Sequence, residues 1–312
     1  MSGLSTSPDD VAIDGAVPPA AGGKPPSAAA AAKKRLSSPW ASLAAVILAI
    51  VWTIPTAGLL ITSFRPALDI NKTGWWTVFT NPDFTLDNYK AVLDSGQTTS
   101  LSPYLVNSIV ITIPAVLLPI LLACLAAYAF AWTDFKGKNV LFVAIFALQV
   151  VPIQVTLLPL LKLYVTLDIS GTFWAIWLSH TMFGLPLAIF LLHNFMREIP
   201  AELIEAARVD GAGHVTIFFR MMLPMLKPAI AAFGIYQFLW VWNDLLVALT
   251  FAGPGSATAP MTKFLFDLTG SRGTAWYLLS AGAFVSMVIP VIVFLSLQRY
   301  FVRGLLAGSV KG

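Results

Sequence analysis

Few side chains in this sequence have the types and spacing that catalysis requires. The three histidines, His180, His193 and His214, lie far apart, and none has the H-E-x-x-H spacing of a zinc site. Ser179 is adjacent to His180, so on a helix the two point to different faces and cannot pair as the nucleophile and base of an intramembrane hydrolase. The single cysteine, Cys124, lies in an apolar run, which excludes a disulfide framework and a thiolate metal site. We therefore expect neither a catalytic residue nor a bound metal.

A phosphate-binding loop is also missing from the sequence. The chain lacks the G-x-x-x-x-G-K-[ST] pattern, whose backbone amides would cradle the phosphates of a nucleotide. We expect that this chain binds no cofactor and does not itself hydrolyse ATP.

Several polar side chains do interrupt long apolar runs, where they could contact a solute that crosses a membrane. An ionisable group at such a position is costly, so it should face a helix-bundle interior or a wet cavity. The same groups could equally make packing or interhelical hydrogen bonds, since Gln often joins helices and a buried His is usually satisfied. The candidate path residues are Gln149, Gln154, His180, Trp242, Asn243 and Asp244.

The composition indicates that these residues lie in a membrane protein. Of 312 residues, 57% are hydrophobic and only 11% are charged, and the mean hydropathy is +0.79. An ordinary soluble domain has about 25% charged residues. The net charge of +4 is modest and spread along the chain, so it does not indicate binding to nucleic acid.

Residues 1–38 differ from the remainder, residues 39–312, which we expect to form one transmembrane domain. The first 38 residues are rich in Pro, Ala, Gly and Ser and lack aromatic side chains, so they cannot bury enough surface to fold. The basic cluster at 33–35 precedes an apolar run that is too long for a signal peptide and has no clear cleavage site. We expect a disordered cytoplasmic extension followed by a retained first span.

Six apolar runs are long enough to cross a bilayer, which takes about 20 residues. They cover residues 41–64, 104–131, 139–163, 173–194, 229–251 and 278–301, and we expect helices because lone strands leave backbone groups unpaired in lipid. Most Lys and Arg residues fall on one side if both termini are cytoplasmic, which the positive-inside rule favours. Prolines that should kink these spans are Pro114, Pro119, Pro152, Pro159, Pro186 and Pro290.

The segment 197–228 is polar, and this topology places it in the cytoplasm between the fourth and fifth spans. Pro200 suits the first turn of a helix, and the acidic Glu202 and Glu205 follow where the helix dipole is positive. Gly211 can supply a left-handed stop, which predicts a short helix of about ten residues. Such a helix could lie on the membrane surface, but its acidic start and small Ala206 and Ala207 favour docking to a protein partner.

This segment resembles the EAA loop of the permease subunits of ABC importers. Glu205, Ala206 and Ala207 are followed after three residues by Gly211 and after nine more by Met221-Met222-Leu223-Pro224. The family pattern has Ile where Met221 stands, which is an apolar exchange. Asp210 belongs to the "DGA" form found in carbohydrate importers. The stretches "TLDNYKAVL" and "VWNDLLVAL" and the end "RYFVRGLLAGSVKG" are similar to maltose-type sugar permeases.

The resemblance implies an all-α polytopic protein with the six-helix permease fold of type I ABC importers, in a bacterial inner membrane. It implies a homologous second permease, two ATPase subunits that use ATP and Mg, an extracytoplasmic solute-binding protein, and surrounding membrane lipid. The positions that would couple to the ATPase are Glu205, Ala206, Ala207, Asp210, Gly211, Leu223 and Pro224, with Gly308 to Gly312 as weaker candidates.

The solute itself is not readable from the sequence. A sugar or oligosaccharide is the expectation, and a polyol, glycerol phosphate or amino acid is the alternative for the same class of permease. A secondary transporter or channel is disfavoured, because it would give the EAA-like segment no role.

Overall fold

The computed structural model describes residues 39–94, 100–270 and 275–309, with side chains described as far as residue 298. The expected extension 1–38 lies outside these residues, as do the side chains of Gly308 to Gly312. The described residues form helices and connecting turns, and the only strand-like pairing among them is an isolated bridge between Gly171 and Ala252.

Fourteen α-helices, two 3₁₀ turns and one π-helical turn follow one another along the described chain. The α-helices are α1 (Pro39–Ser63), α2 (Ala67–Ile70), α3 (Asp87–Leu93), α4 (Ser102–Trp132), α5 (Lys138–Ala147), α6 (Ile153–Thr166), α7 (Phe173–Arg197), α8 (Ala201–Val209), α9 (His214–Ile217), α10 (Leu223–Met225), α11 (Lys227–Trp242), α12 (Leu246–Phe251), α13 (Met261–Thr269) and α14 (Trp276–Ser309). The 3₁₀ turns are Trp75–Phe79 and Leu148–Val150, and the π-helical turn is Phe218–Met222.

The length and composition of these helices fit a polytopic membrane protein. Four are long and apolar enough to span a bilayer by themselves: α1, α4, α7 and the Trp276–Gln298 part of α14. Two bent pairs, Lys138–Val150 with Ile153–Thr166 and His214–Met225 with Lys227–Trp242, raise the number to six if each pair is one span.

The chain divides into two compact units, Met1–Pro55 and Thr56–Gly312. The described part of the first unit is the apolar beginning of α1. The second unit contains everything that follows, and its centre is the long contact between α4 and α7, which α11 joins.

Small side chains allow the helices of the second unit to approach closely. Ala115, Ala123 and Ala127 on α4 and Ala188 on α7 are completely or almost completely buried where these helices meet. In lipid, helix association depends on such close packing, because there is no water to expel from between the helices. The core continues into Ile204, Ile217, Met222 and Leu226, so the segment after α7 packs onto the same cluster.

The third expected span, 139–163, is not one helix. The helix axis turns by 101° at the break around Val151 and Pro152. Pro152 offers no backbone N–H, and it holds the preceding Val151 in an extended conformation with ψ 121°. The prolines Pro114, Pro119, Pro159, Pro186 and Pro290, in contrast, lie inside helices that continue through them.

The fifth expected span, 229–251, is also divided. Helix α11 ends at Trp242, and α12 begins at Leu246, so the intervening residues 243–245 form a turn rather than the middle of a helix. Asp244 therefore lies at a helix break, which differs from its expected position well inside a continuous span.

The "TLDNYKAVL" stretch forms α3 and is held by a buried amide. Asn88 Nδ2 donates hydrogen bonds to the carbonyl oxygens of Ser63 at 3.0 Å and Arg65 at 2.8 Å. Asn88 is buried, so these bonds satisfy a group that would otherwise be costly to bury. The pair of bonds fixes α3 against the end of α1.

Candidate functional site

Helix α8 carries most of the predicted coupling residues, and its boundaries follow from its sequence. Pro200 precedes the first helical residue, Ala201, and Glu202 lies in the first turn. After the last helical residue, Val209, the backbone adopts the left-handed conformation at Gly211, with φ 82°. The helix stops where it was predicted to stop, but it begins one residue later than predicted, because Pro200 precedes the first turn with an extended ψ of 134°.

A complete Schellman motif closes α8. The N–H of Ala212 donates to the carbonyl of Ala207 at 2.9 Å, and the N–H of Gly211 donates to that of Arg208 at 3.0 Å. These two bonds satisfy carbonyl groups that the helix leaves free, and they require the positive φ that Gly adopts without strain. Ala207 and Ala212 also pack against the same core cluster.

The two sides of α8 have different surroundings. Ile204 is 2% exposed and belongs to the core cluster that includes Met196 and Leu226. Glu205, Ala206, Asp210 and Gly211 are exposed. The two alanines of the motif therefore differ, because Ala206 faces outward while Ala207 is half-buried against its own chain.

The second half of the segment contains an unusual turn. Residues Phe218–Met222 form a π-helical turn just before Leu223, which is half-buried, and Pro224, which is exposed. A proline ring clashes with the carbonyl four residues earlier, here Arg220, and a wider turn relieves that contact. Leu223 packs on the core cluster, whereas Pro224 does not belong to it.

The segment also exposes large apolar side chains beside its polar ones. Val209 is 88% exposed and Val215 71%, and Leu203 and Phe219 are exposed as well. Exposed apolar side chains concentrated in one short segment are typical of an interaction surface. We call the exposed residues Leu203, Glu205, Ala206, Val209, Asp210, Gly211, Val215 and Phe219 the outer side of the segment.

Tyr128, which the sequence did not single out, ties this segment to α4. Its hydroxyl lies 2.9 Å from Nδ1 of His214, and its ring meets Phe218 edge-on with centroids 5.3 Å apart. His214 is exposed, yet its ring also has this protein partner. A tyrosine near a span end signals an interfacial position, but no sequence pattern indicates its partner 86 residues away.

The candidate path residues lie in two places rather than one. Gln149 and Gln154 are exposed and line a cavity of about 730 Å³ at the break between α5 and α6. Its other lining residues are mainly apolar and include Pro159, Met182 and Pro186. The cavity therefore lies between the broken third span and α7.

The other four candidates lie near the break between α11 and α12. Trp242 is 4% exposed, stacks on Phe238 and donates its indole N–H to the carbonyl of Ser286 at 3.1 Å. Within this chain, the Trp242 ring is therefore too buried to stack on a sugar. Asn243 is exposed, and its side-chain amide donates to the carbonyl of Leu239 at 2.7 Å.

Asp244 and His180 come together although 64 positions separate them. Asp244 Oδ2 accepts hydrogen bonds from the N–H groups of Val247 at 3.0 Å and Ala248 at 3.3 Å, so the carboxylate caps the first turn of α12. His180 Nδ1 lies 3.0 Å from the carbonyl of Ile176, and its Nε2 lies 3.7 Å from Asp244 Oδ2. The side chain of His180 is 2% exposed and that of Asp244 is 10% exposed.

Gln237 is a second buried polar residue that the sequence did not single out. Its Nε2 donates to the carbonyls of Ala115 at 3.1 Å and His180 at 3.3 Å, so it joins α4, α7 and α11. The space it occupies exists because residue 184 is Gly: a Cβ there would lie 2.6 Å from Gln237 Oε1. A glutamine in an apolar run hints at such a bridge, but its partners depend on the packing.

Among the described residues, no group of three or more His, Cys, Asp or Glu side chains is placed to hold a metal ion.

Comparison with known proteins identifies relatives of the chain. The chain is 52% identical over 273 residues to the osmoprotective compounds uptake permease protein GgtD of Synechocystis sp., covering 86% of this chain and 91% of that protein. It is 50% identical over 243 residues to the alpha-glucoside transport system permease protein AglG of Rhizobium meliloti, covering 76% of this chain and 63% of that longer protein.

The fold has a relative among solved structures. A crystal structure of a bacterial ABC transporter involved in the import of the acidic polysaccharide alginate contains a chain that matches with a TM-score of 0.69. The match has 21% sequence identity and covers 86% of this chain and 98% of that one. Residues 115–306 match the family described as the binding-protein-dependent transport system inner membrane component. The matched residues contain the α8 segment and both broken membrane spans. The chain belongs to this family of ABC importer permeases.

Proposed function

We propose that this chain is a permease subunit of an ATP-driven importer for sugars or oligosaccharides, with α-glucosides as the substrate class. The observation that carries the proposal is the family match over residues 115–306 together with the capped helix α8 inside it. The high identity to a permease named for alpha-glucoside transport supports the substrate class. The chain forms half of the translocation path in this proposal.

Helix α8 would be the contact with a partner ATPase. Its outer side presents a carboxylate at Glu205, a flat surface at Ala206 and exposed apolar groups at Val209 and Val215. Its inner side is fastened to the core through Ile204 and Ala207. A push on the outer side would therefore move the ends of α4 and α7 rather than bend a loose loop.

The contact between Tyr128 and His214 would strengthen this connection. It joins the start of α9 directly to α4, so the second half of the segment moves with the same bundle. Asp210, Gly211, Leu223 and Pro224 then act mainly by shape: they end α8 and direct the chain back toward α11.

The assembly would contain a homologous second permease, two ATPase subunits and an extracytoplasmic solute-binding protein. Both termini and the α8 segment would lie in the cytoplasm, as the distribution of Lys and Arg supports. ATP and Mg would bind to the ATPase subunits, which perform the hydrolysis, while this chain acts without catalytic groups.

Of the candidate path residues, Gln149 and Gln154 are the ones we assign to the solute. Their amides are exposed in a cavity of about 730 Å³, which suits a sugar-sized ligand, and they offer both donors and acceptors to hydroxyl groups. Asp244 Oδ2 and the Trp242 indole have hydrogen-bond partners within the chain, and buried His180 lies beside Asp244, so we assign these three residues to holding the break between α11 and α12.

Purification and uptake test this function together. The full chain, co-expressed with the second permease, the ATPase and the binding protein, should purify as one complex and take up a radiolabelled α-glucoside such as maltose in proteoliposomes containing ATP. A stable and active importer from which the ATPase subunit can be omitted would contradict the proposal.

A second substrate class has its own support, because the relative with 52% identity is named for uptake of osmoprotective compounds. A polyol, glycerol phosphate or amino acid would fit the same permease architecture. Competition decides between the classes: unlabelled α-glucosides should block uptake, whereas glycine betaine, a non-sugar osmolyte, should not. If glycine betaine blocked uptake and α-glucosides did not, the substrate would be a non-sugar osmolyte, and the permease assignment would be unchanged.

A further inference from the structure

A second cavity, of about 410 Å³, lies where the ends of α4, α5 and α7 meet. Phe130 near the end of α4, Lys138 and Phe142 on α5, and His193 and Arg197 on α7 line it. Because α8 begins four residues after Arg197, the cavity lies at the same end of the bundle as α8. Nothing in the proposed coupling or transport uses it.

The lining carries positive charge. Arg197 follows His193 by one helical turn, so both lie on the same face of α7, and Lys138 opposes them from the start of α5. The carboxylate nearest to Lys138 is that of Asp134 at 3.6 Å, and it is fully exposed to solvent. Solvent around the Asp134 carboxylate weakens this ion pair, and the bond that Lys138 Nζ donates to the carbonyl of Thr133 at 2.9 Å does not neutralise its charge. The cationic character of the cavity therefore remains.

One side chain in this cavity, His193, has a buried nitrogen available for a hydrogen bond to a ligand. His193 is 8% exposed, and its Nδ1 has no hydrogen-bond partner among the described residues. The Phe142 ring lies against the imidazole, with centroids 4.3 Å apart, and holds it in place. Buried polar atoms are normally paired, so an unpaired one in a cavity wall indicates an absent partner.

The N-terminus of α5 opens into the same space. Lys138 and Asn139 are its first two residues, and the preceding residue, Gly137, provides no side-chain cap. The N–H of Lys138 donates to the carbonyl of Phe135 at 3.3 Å, and the positive end of the helix dipole just beyond it favours an anion at this position. An anion therefore suits all three features of the cavity, which are the helix N-terminus, the two cations and the unpaired imidazole.

We propose that this cavity binds the phosphate of an anionic phospholipid headgroup. Inorganic phosphate has the same charge chemistry, but apolar surface continues from the cavity along α5, where Val140 is 75% exposed and Val143 65%. Acyl chains can lie along that surface while the phosphate contacts Lys138 and Arg197. Basic pockets between helix ends at the membrane interface are suited to such headgroups.

The test uses the intact importer complex in detergent, with phosphatidylglycerol as the probe and native mass spectrometry as the readout. Lys138→Gln combined with Arg197→Gln should weaken phosphatidylglycerol binding at least about tenfold, since both cations that contact the phosphate are removed. Lys136→Gln is the matched control, because it removes a charge two residues away that lies outside the lining. Equal losses in the control and the double variant, or no loss in the double variant, would overturn the proposal.

Two further arms identify the ligand. Phosphatidylcholine should bind weakly, because its headgroup carries no net charge, and millimolar inorganic phosphate should not displace phosphatidylglycerol. Displacement by inorganic phosphate would assign the cavity to a soluble anion instead and overturn the lipid assignment.

A measurement on the unmodified chain covers the case in which the double variant does not fold. Phosphatidylglycerol with a diazirine in its headgroup should cross-link to the start of α5 and the end of α7 in the wild-type complex. Cross-links confined to other helices would overturn the proposal. Neither readout depends on transport, so the result is independent of whether the sugar assignment holds.

Discussion

At the scale of single residues, neighbouring residues of the α8 motif have two different roles. Ile204 and Ala207 fasten the helix to the core, while Glu205 and Ala206 remain exposed. This division follows from the helical period, because residues one position apart point about 100° away from each other. The outer residues can therefore be changed without loss of the core.

Glu205→Lys should uncouple ATP hydrolysis from uptake. Reversing the charge places a cation where we propose a polar contact with the ATPase, and an unpaired charge at an interface costs about 2–5 kcal/mol. Uptake in proteoliposomes should fall at least about tenfold, while membrane insertion and the melting temperature stay unchanged.

Glu202→Lys is the matched control, since Glu202 is also exposed and lies one turn earlier on the same helix. It should reduce uptake much less. Wild-type uptake by the Glu205→Lys variant would remove this residue from the proposed contact.

Gly211→Ala should destabilise the end of α8. The backbone there has φ 82°, where a Cβ is strained by about 1 kcal/mol, although no atom lies within 4 Å of the added carbon. Gly213→Ala is the control, because that residue is also surrounded by open space but has φ −76°.

Hydrogen exchange of α8 in the purified complex measures this effect. Faster exchange is expected for Gly211→Ala and wild-type exchange for Gly213→Ala. If both variants behave alike, the left-handed conformation at Gly211 does not stabilise the helix end.

At the scale of elements, the breaks in the third and fifth spans show where sequence reasoning stopped. The apolar runs predicted spans, and Pro200 and Gly211 predicted the ends of α8, because these signals act on neighbouring residues. Pro152 predicted a kink, but its 101° size depends on what the helices contact. The end of α11 at Trp242 has no proline or glycine to mark it, and the cap at Asp244 became visible only with α12 in place.

Contacts between distant residues are the other part that sequence could not supply. Three contacts join residues that are at least 64 positions apart: His180 with Asp244, Tyr128 with His214, and Gln237 with Ala115. Each residue has an ordinary local context, and only the packing of α4 against α7 and α11 brings the partners together.

Gly184→Ala should weaken the junction of α4, α7 and α11. The added carbon would lie 2.6 Å from Gln237 Oε1, which would displace a buried amide from its two carbonyl partners. Leaving those groups unpaired costs about 1–3 kcal/mol, so the melting temperature of the complex should fall.

Gly234→Ala is the control on α11, since its nearest neighbour would be Ile120 Cδ1 at an ordinary 3.5 Å. Shortening residue 237 in the double variant Gly184→Ala with Gln237→Ala should remove the clash and recover part of the loss. A Gly184→Ala protein as stable as wild type would show that the bridge does not hold the helices.

Asp244→Asn should preserve uptake, because the amide oxygen can still accept the bonds from Val247 and Ala248. Asp244→Ala should lower stability by about 1 kcal/mol through loss of the cap. Thermal unfolding and uptake of both variants check this. If the Asn variant lost uptake at wild-type stability, the Asp244 carboxylate would be assigned to the solute path after all.

At the scale of the whole molecule, α8, the proposed contact with the ATPase, packs on the same helices that border the cavity at the broken third span. The inner side of α8, through Ile204 and Ala207, packs on the core that α4 and α7 share, and α7 borders the cavity at Gln149 and Gln154. A movement imposed on α8 can therefore reach the proposed path through packed helices, without a flexible linker between them.

The most direct test of the central claim, that α8 meets an ATPase, is site-specific cross-linking in the active importer. Cys124 is the only cysteine and is buried, so Ala206→Cys adds one accessible thiol at the outer side. A short bifunctional thiol reagent should join Ala206→Cys to a cysteine in the ATPase subunit. It should not do so for Lys72→Cys, which is exposed in the connection between α2 and α3 and lies on the proposed opposite side of the membrane. A transport-competent complex in which Lys72→Cys cross-links and Ala206→Cys does not would contradict the account.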